Sequence, residues 1–85
     1  MDKETFKAKM YHAEVMSEID DSPDYWEGYK RGLKRAYHGE HFGTEAEHKQ
    51  WLSLVDSVNS QDHERGRGYL NGLRVDTRNN HYRQG

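Results

Sequence analysis

His38, Glu40 and His41 crowd one loop, and Glu45 and His48 follow on the next helix, side chains of the types able to hold a metal. Two imidazoles completed by a carboxylate are chemically adequate for zinc, at about 2.0–2.2 Å. The spacing matches no established ligand pattern such as His-Glu-x-x-His, and the chain has no Cys to supply a thiolate. His38 has a plainer use at the negative end of a helix, worth about 0.3–1 kcal/mol when protonated. His48 can pack or hydrogen-bond against the adjoining loop. No metal and no cofactor are assigned from the sequence; His38, His41 and His48 are the residues such a site would use.

Catalysis finds no better footing. The serines are Ser17, Ser22, Ser53, Ser57 and Ser60, all at helix surfaces or caps, with no strained nucleophile elbow among them. No glycine-rich phosphate loop follows a strand, because no strand pattern is evident. The expectation is a protein that is not an enzyme.

Charge offers two candidate surfaces. The net charge is −2, but residues 1–27 hold eight acids against Lys3, Lys7 and Lys9, and residues 28–85 hold seven acids against ten Lys and Arg. Asp20, Asp21, Asp24 and Glu27 make an acidic block that can attract a basic partner. Lys30, Arg31, Lys34 and Arg35 form two basic pairs one turn apart, and Arg65 and Arg67 add to them; such a surface could hold phosphates. The plainer alternative is that Lys30 and Lys34 pair with Glu27 or with acids of the first helix.

The elements that must position these residues read as helices. Phe6, Met10, Ala13 and Met16, with Tyr11, Val15 and Ile19 beside them, give a wide apolar stripe over residues 3–19. Ser22-Pro23-Asp24 has the chemistry of a helix start, and Gly39 that of a stop, bounding a second helix at 23–38. Thr44 with Glu47 forms a capping box for a third, at 44–58, with Trp51, Leu52, Val55 and Val58 inward. Ser60 or Asp62 caps a fourth, at 61–74. The predicted fold is all-α, a small bundle of about four helices forming one domain over 1–75, followed by a polar, mobile tail at 76–85.

Two of these helices carry glycine on one face: Gly28, Gly32 and Ala36 on the second, Gly68 and Gly72 on the fourth. Each interior glycine costs about 0.5–1 kcal/mol relative to alanine, so close packing must offset it. The two faces are expected to pack on each other or to receive Trp51; the alternative is a groove left open for a partner's helix or ring. Trp26, Tyr29 and Tyr37 are expected to share a face with the Gly28–Gly32 groove. A groove of that kind can also close as a two-fold dimer, so both monomer and homodimer are kept.

The segments EGYKRGLKRA at 27–36 and RGYLNGLR at 67–74 carry a doubled glycine-aromatic-x-x-glycine pattern with a tryptophan between. In this the chain resembles the ribosome modulation factor family, small helical proteins that bind the small ribosomal subunit; the resemblance implies an RNA or ribosome partner. In style, as a short, Cys-free, charge-polarised helical chain, it is also similar to many phage-encoded proteins, including anti-CRISPR inhibitors.

Length and composition bound the remainder. Eighty-five residues with 32% hydrophobic and 12% aromatic content allow one small core closed by large rings. The start has no apolar signal region, no stretch is long enough to span a membrane, and the absence of Cys suits a reducing cytoplasm. The expected function is a non-catalytic protein-binding module, an inhibitor or adaptor that occludes a site on a larger protein or nucleoprotein assembly. Its partner-binding residues are Asp20, Asp21, Asp24, Trp26, Glu27, Tyr29 and Tyr37. The alternative is nucleic-acid binding by Lys30, Arg31, Lys34, Arg35, Arg65 and Arg67.

Overall fold

The computed structural model describes the backbone of residues 1–39 and 42–84 and the side chains of residues 1–39 and 42–75. Its elements are α1 (Lys3–Ile19), α2 (Pro23–His38), α3 (Glu45–Ser53), a 3-10 turn (Leu54–Asp56) and α4 (Ser60–Gln84). Among the described residues there is no strand, and no helix is long and apolar enough to cross a membrane. The predicted all-α architecture is the observed one, and α1 and α2 have the expected bounds.

Local chemistry sets most of these ends. Asp2 caps α1 by accepting the Thr5 N–H at 2.7 Å. The Thr44 side chain accepts the Glu47 N–H at 3.1 Å while Glu47 reaches back to the Thr44 backbone, completing the capping box. Gly39 ends α2 at φ 67°, a conformation that suits a residue without a Cβ. Two assigned caps differ. The Ser22 side chain makes no capping bond; the Asp20 carboxylate instead accepts the Ser22 N–H at 3.0 Å and organises the turn. Asn59, rather than Ser60 or Asp62, caps α4 by accepting the Asp62 N–H at 3.0 Å.

The third helix is shorter than its pattern implies. It ends at Ser53, tightens into the 3-10 turn, and leaves Val58, expected inward, fully exposed. The turn is held against α4 by His63, whose Nδ1 lies 2.8 Å from the Val55 carbonyl oxygen. Gly66 permits that approach, since a methyl group there would come within 2.5 Å of the Val55 nitrogen. The α4 backbone continues as helix to Gln84, past the end expected near Arg74. The mobile tail expected at 76–85 falls, for its side chains, outside the described residues.

The centre of the molecule is the seam between α2 and α4. A methyl group at Gly28 would meet the Arg65 carbonyl oxygen at 1.9 Å, and one at Gly32 the Tyr69 carbonyl oxygen at 2.2 Å. On the other side a methyl group at Gly68 would meet the Tyr25 carbonyl oxygen at 1.9 Å and one at Gly72 the Tyr29 carbonyl oxygen at 2.3 Å. The partner's number rises with the glycine's in both series, so the two helices run parallel. Adding 40 to the α2 residue and subtracting 40 from the α4 residue turns Gly28–Arg65 into Gly68–Tyr25 and Gly32–Tyr69 into Gly72–Tyr29, giving the seam a pseudo-two-fold symmetry. All four glycines are buried, and backbone lies on backbone as only residues without side chains permit.

Parallel helices joined in sequence need a return path, which α3 and the 3-10 turn supply. The groove is therefore filled from within: it is not open to a partner, does not receive Trp51, and does not close a dimer. Trp51 instead lies over the ring of Tyr69, with centroids 5.4 Å apart. Tyr69 and Leu33, 2% and 0% exposed, are the large fully buried side chains of the core.

Candidate protein-binding face

Helix α1 packs antiparallel on the side of α2 away from the seam. Phe6 stacks on Tyr37 with centroids 4.3 Å apart and planes 7° from parallel. Ala13 is wholly buried, Glu14 pairs with Lys30, and Trp26 donates its indole N–H to Asp20 at 3.1 Å. The expected grouping of Trp26 and Tyr37 with the glycine groove is thus overturned. At about 100° per residue they stand nearly half a turn from Gly28, and α1 covers them. Tyr29 adjoins the seam through its backbone.

Its outer face carries the unexpected feature. Tyr11, Val15 and Ile19 follow one another at every fourth position and are 73%, 37% and 70% exposed. Ala8, also exposed, extends the line by a turn. The wide stripe read from the sequence divides in two: Phe6, Met10, Ala13 and Met16 turn toward α2 while these four turn to solvent. The missed signal was the second spacing, 8-11-15-19, running beside the first. Exposed Lys7 and Glu18 line one edge, His12 the other, and exposed Asp21 follows at the end.

The acidic block is mostly engaged within the chain. Arg65 lies 3.0 Å from Asp24, 3.7 Å from Glu27 and 3.1 Å from Asp62. Hydrogen bonds from the Trp26 indole and the Ser22 backbone hold the Asp20 carboxyl below its ordinary pKa. The basic stripe is likewise matched by acids. Lys30 pairs with Glu14, Arg31 with Glu47 at 2.9 Å, Arg35 with Glu45 at 3.3 Å and Arg67 with Glu64 at 3.0 Å. Arg31 also sits 5.1 Å from the ring centres of both Phe42 and Trp51. The Arg35 side chain is only 11% exposed, and its guanidinium donates to the Phe42 carbonyl as well. These arginines fasten α3 and its leading loop to α2, a structural use that lowers their availability for phosphates. Lys34 lies 5.9 Å from the Phe42 ring centre, at the rim of an open cleft lined also by Glu27 and Trp51.

The histidines are placed apart in role. His38 stands edge-on to Phe6 and Tyr37, and His48 bonds the Tyr69 hydroxyl. Among the described residues no group of three His, Asp or Glu side chains is arranged to hold a metal; Glu40 and His41 lie outside them. Comparison with protein-family models, curated proteins and solved structures found no match to this chain.

Proposed function

We propose that this chain is a non-catalytic helical binding protein, an inhibitor or adaptor that docks on a larger protein or nucleoprotein assembly through the outer face of α1. The observation that carries the reading is the solvent-facing line of Tyr11, Val15 and Ile19 on a helix whose opposite side is already packed. Burying an aliphatic side chain of that kind contributes about 1.5–3 kcal/mol, and tyrosine is a favoured interface anchor. The anchoring role thereby passes from Trp26 and Tyr37, which α1 covers, to Tyr11 and Ile19. Of the acidic block, exposed Asp21 remains beside the face, and with Glu18 it favours a partner whose apolar site has a basic rim. A cytoplasmic setting and a place among phage-type inhibitors, anti-CRISPR proteins included, belong to the same reading.

The test is capture from lysate on the immobilised protein, with and without nuclease, compared with Ile19→Asp. Wild type should retain specific protein after nuclease treatment, and Ile19→Asp, with an unchanged circular dichroism spectrum, should lose it. Loss of all bound material to nuclease, with Ile19→Asp binding normally, would favour RNA or ribosome binding instead.

A further inference from the structure

Resting on the reading that the outer face of α1 is the working surface, we propose that a second copy of the chain occupies this face in the free protein. Two α1 helices pair antiparallel about a two-fold axis, so self-association and partner docking compete for Tyr11, Val15 and Ile19.

The register is written in the helix itself. In an antiparallel two-fold pair, a residue above the axis on one helix meets a residue equally far below it on the other, and each edge meets the same edge. Lys7 and Glu18 lie on one edge of the stripe, within about 20° of each other around the helix. Both are exposed, and among the described residues neither makes an ion pair within the chain. Their midpoint falls between residues 12 and 13. Tyr11 and Val15 have their midpoint at residue 13, and Ala8 and Ile19 theirs between 13 and 14. A single axis near residue 13 therefore sets Lys7 against Glu18, Tyr11 against Val15 and Ala8 against Ile19, each twice.

The wider charge pattern selects the same orientation. Residues 1–9 carry Lys3, Lys7 and Lys9 against Asp2 and Glu4, whereas residues 10–21 carry Glu14, Glu18, Asp20 and Asp21 with no Lys or Arg. Parallel pairing would set the two acidic halves together; antiparallel pairing crosses acidic with basic. A single pair of helices about 25 Å long falls short of the roughly 1,200 Å² typical of stable interfaces. The dimer is accordingly reversible, as a competitor for partner docking must be.

Sedimentation velocity on the purified chain, over a concentration series, tests this. The mass should rise from 10.1 kDa toward twice that value. Lys7→Glu and Glu18→Lys should each weaken association about tenfold, since two exposed pairs become two repulsions. An equimolar mixture of the two variants should recover it, because both cross pairs are then Glu against Lys. Ile19→Asp should remain monomeric with unaltered helical content. A mass of 10.1 kDa at every concentration, a dimer indifferent to Ile19→Asp, or a mixture that fails to recover association would each overturn the proposal. A strictly monomeric chain that still captures protein through Ile19 would sink the dimer alone and leave the docking role standing. Conversely, a dimer whose Ile19→Asp variant captures the same protein would keep the self-pairing and remove the docking role.

Discussion

The hydroxyl of Tyr69 lies 2.6 Å from Nδ1 of His48, tying the most buried large ring of the molecule to the short helix that returns the chain toward α4. Removing the hydroxyl in Tyr69→Phe leaves the half-buried imidazole without that partner and should cost about 0.5–1.5 kcal/mol in a urea melt. Burial also raises the Tyr69 pKa above its ordinary value of 10.0. The folded state thus holds the phenolic proton more tightly than the unfolded one. The resulting stability is fully present below pH 10.0 and is lost as pH rises through the folded-state pKa, a loss Tyr69→Phe should diminish.

Alanine at Gly68 gives a diagnostic sign. In an ordinary helix interior Gly→Ala gains about 1 kcal/mol. Here the new methyl group would stand 1.9 Å from the Tyr25 carbonyl oxygen, and backbone cannot rotate away as a side chain can. Gly68→Ala and Gly28→Ala should instead destabilise by about 1–3 kcal/mol, and Gly32→Leu or Gly72→Leu by more. An unchanged or raised melting temperature in all four would refute the parallel seam.

Arg65 serves Asp24, Glu27 and Asp62 at once, and it stands at the N-terminal ends of both seam helices. Arg65→Ala should cost about 1–2 kcal/mol, a network value above that of a lone exposed pair. Exposed Arg74→Ala should stay within about 0.5 kcal/mol of wild type. Added salt should narrow the difference between Arg65→Ala and the parent, since the guanidinium is only partly shielded from solvent.

Acid should loosen the turn between α1 and α2. The pKa of Asp20 is lowered first by the Trp26 indole bond and then by the Ser22 backbone N–H, and that of Glu14 is lowered by Lys30. Both are depressed in the fold, so the stability they add is present above their ordinary values of 3.8 and 4.5 and is lost as pH falls below them. The melting temperature should drop between pH 5 and pH 3, and Asp20→Asn should flatten part of that slope. A slope identical in wild type and Asp20→Asn would exclude Asp20 as a contributor.

What the sequence makes legible is whatever local chemistry decides. Pro23, Gly39 and the Thr44–Glu47 box mark helix ends through bonds spanning a few residues, and four-residue glycine spacing declares a packing face. Distant partners are not encoded so openly. Arg31 and Arg35 read as a solvated basic stripe because Glu45 and Glu47 stand ten and more residues away; only the fold brings them together. Trp26 and Tyr37 read as groove neighbours, yet their angular position assigns them to α1. Val58 reads as the last inward residue of α3 because its spacing is helical, but the 3-10 turn breaks the period before it. The candidate docking face was hidden within a correct helix: seven apolar residues suggested one broad stripe, and a neighbour only on one side splits it.

The parallel run of α2 and α4 also fixes an order of events during synthesis. Helices α1 and α2 meet through a turn of three residues and can close as soon as Tyr37 has emerged to stack on Phe6. The seam is different, because its backbone approaches join positions 37 and 43 residues apart, the last of them through Gly72. Until that glycine leaves the ribosome, α2 has no mate for its bare side and must be kept helical by α1 alone. Closing so long a loop adds little to the entropic cost of a shorter one, since that cost grows only logarithmically. The wait therefore bears on the nascent chain rather than on the finished protein: between the emergence of Tyr37 and that of Gly72 the molecule is a two-helix hairpin, and its centre is built only after its flank.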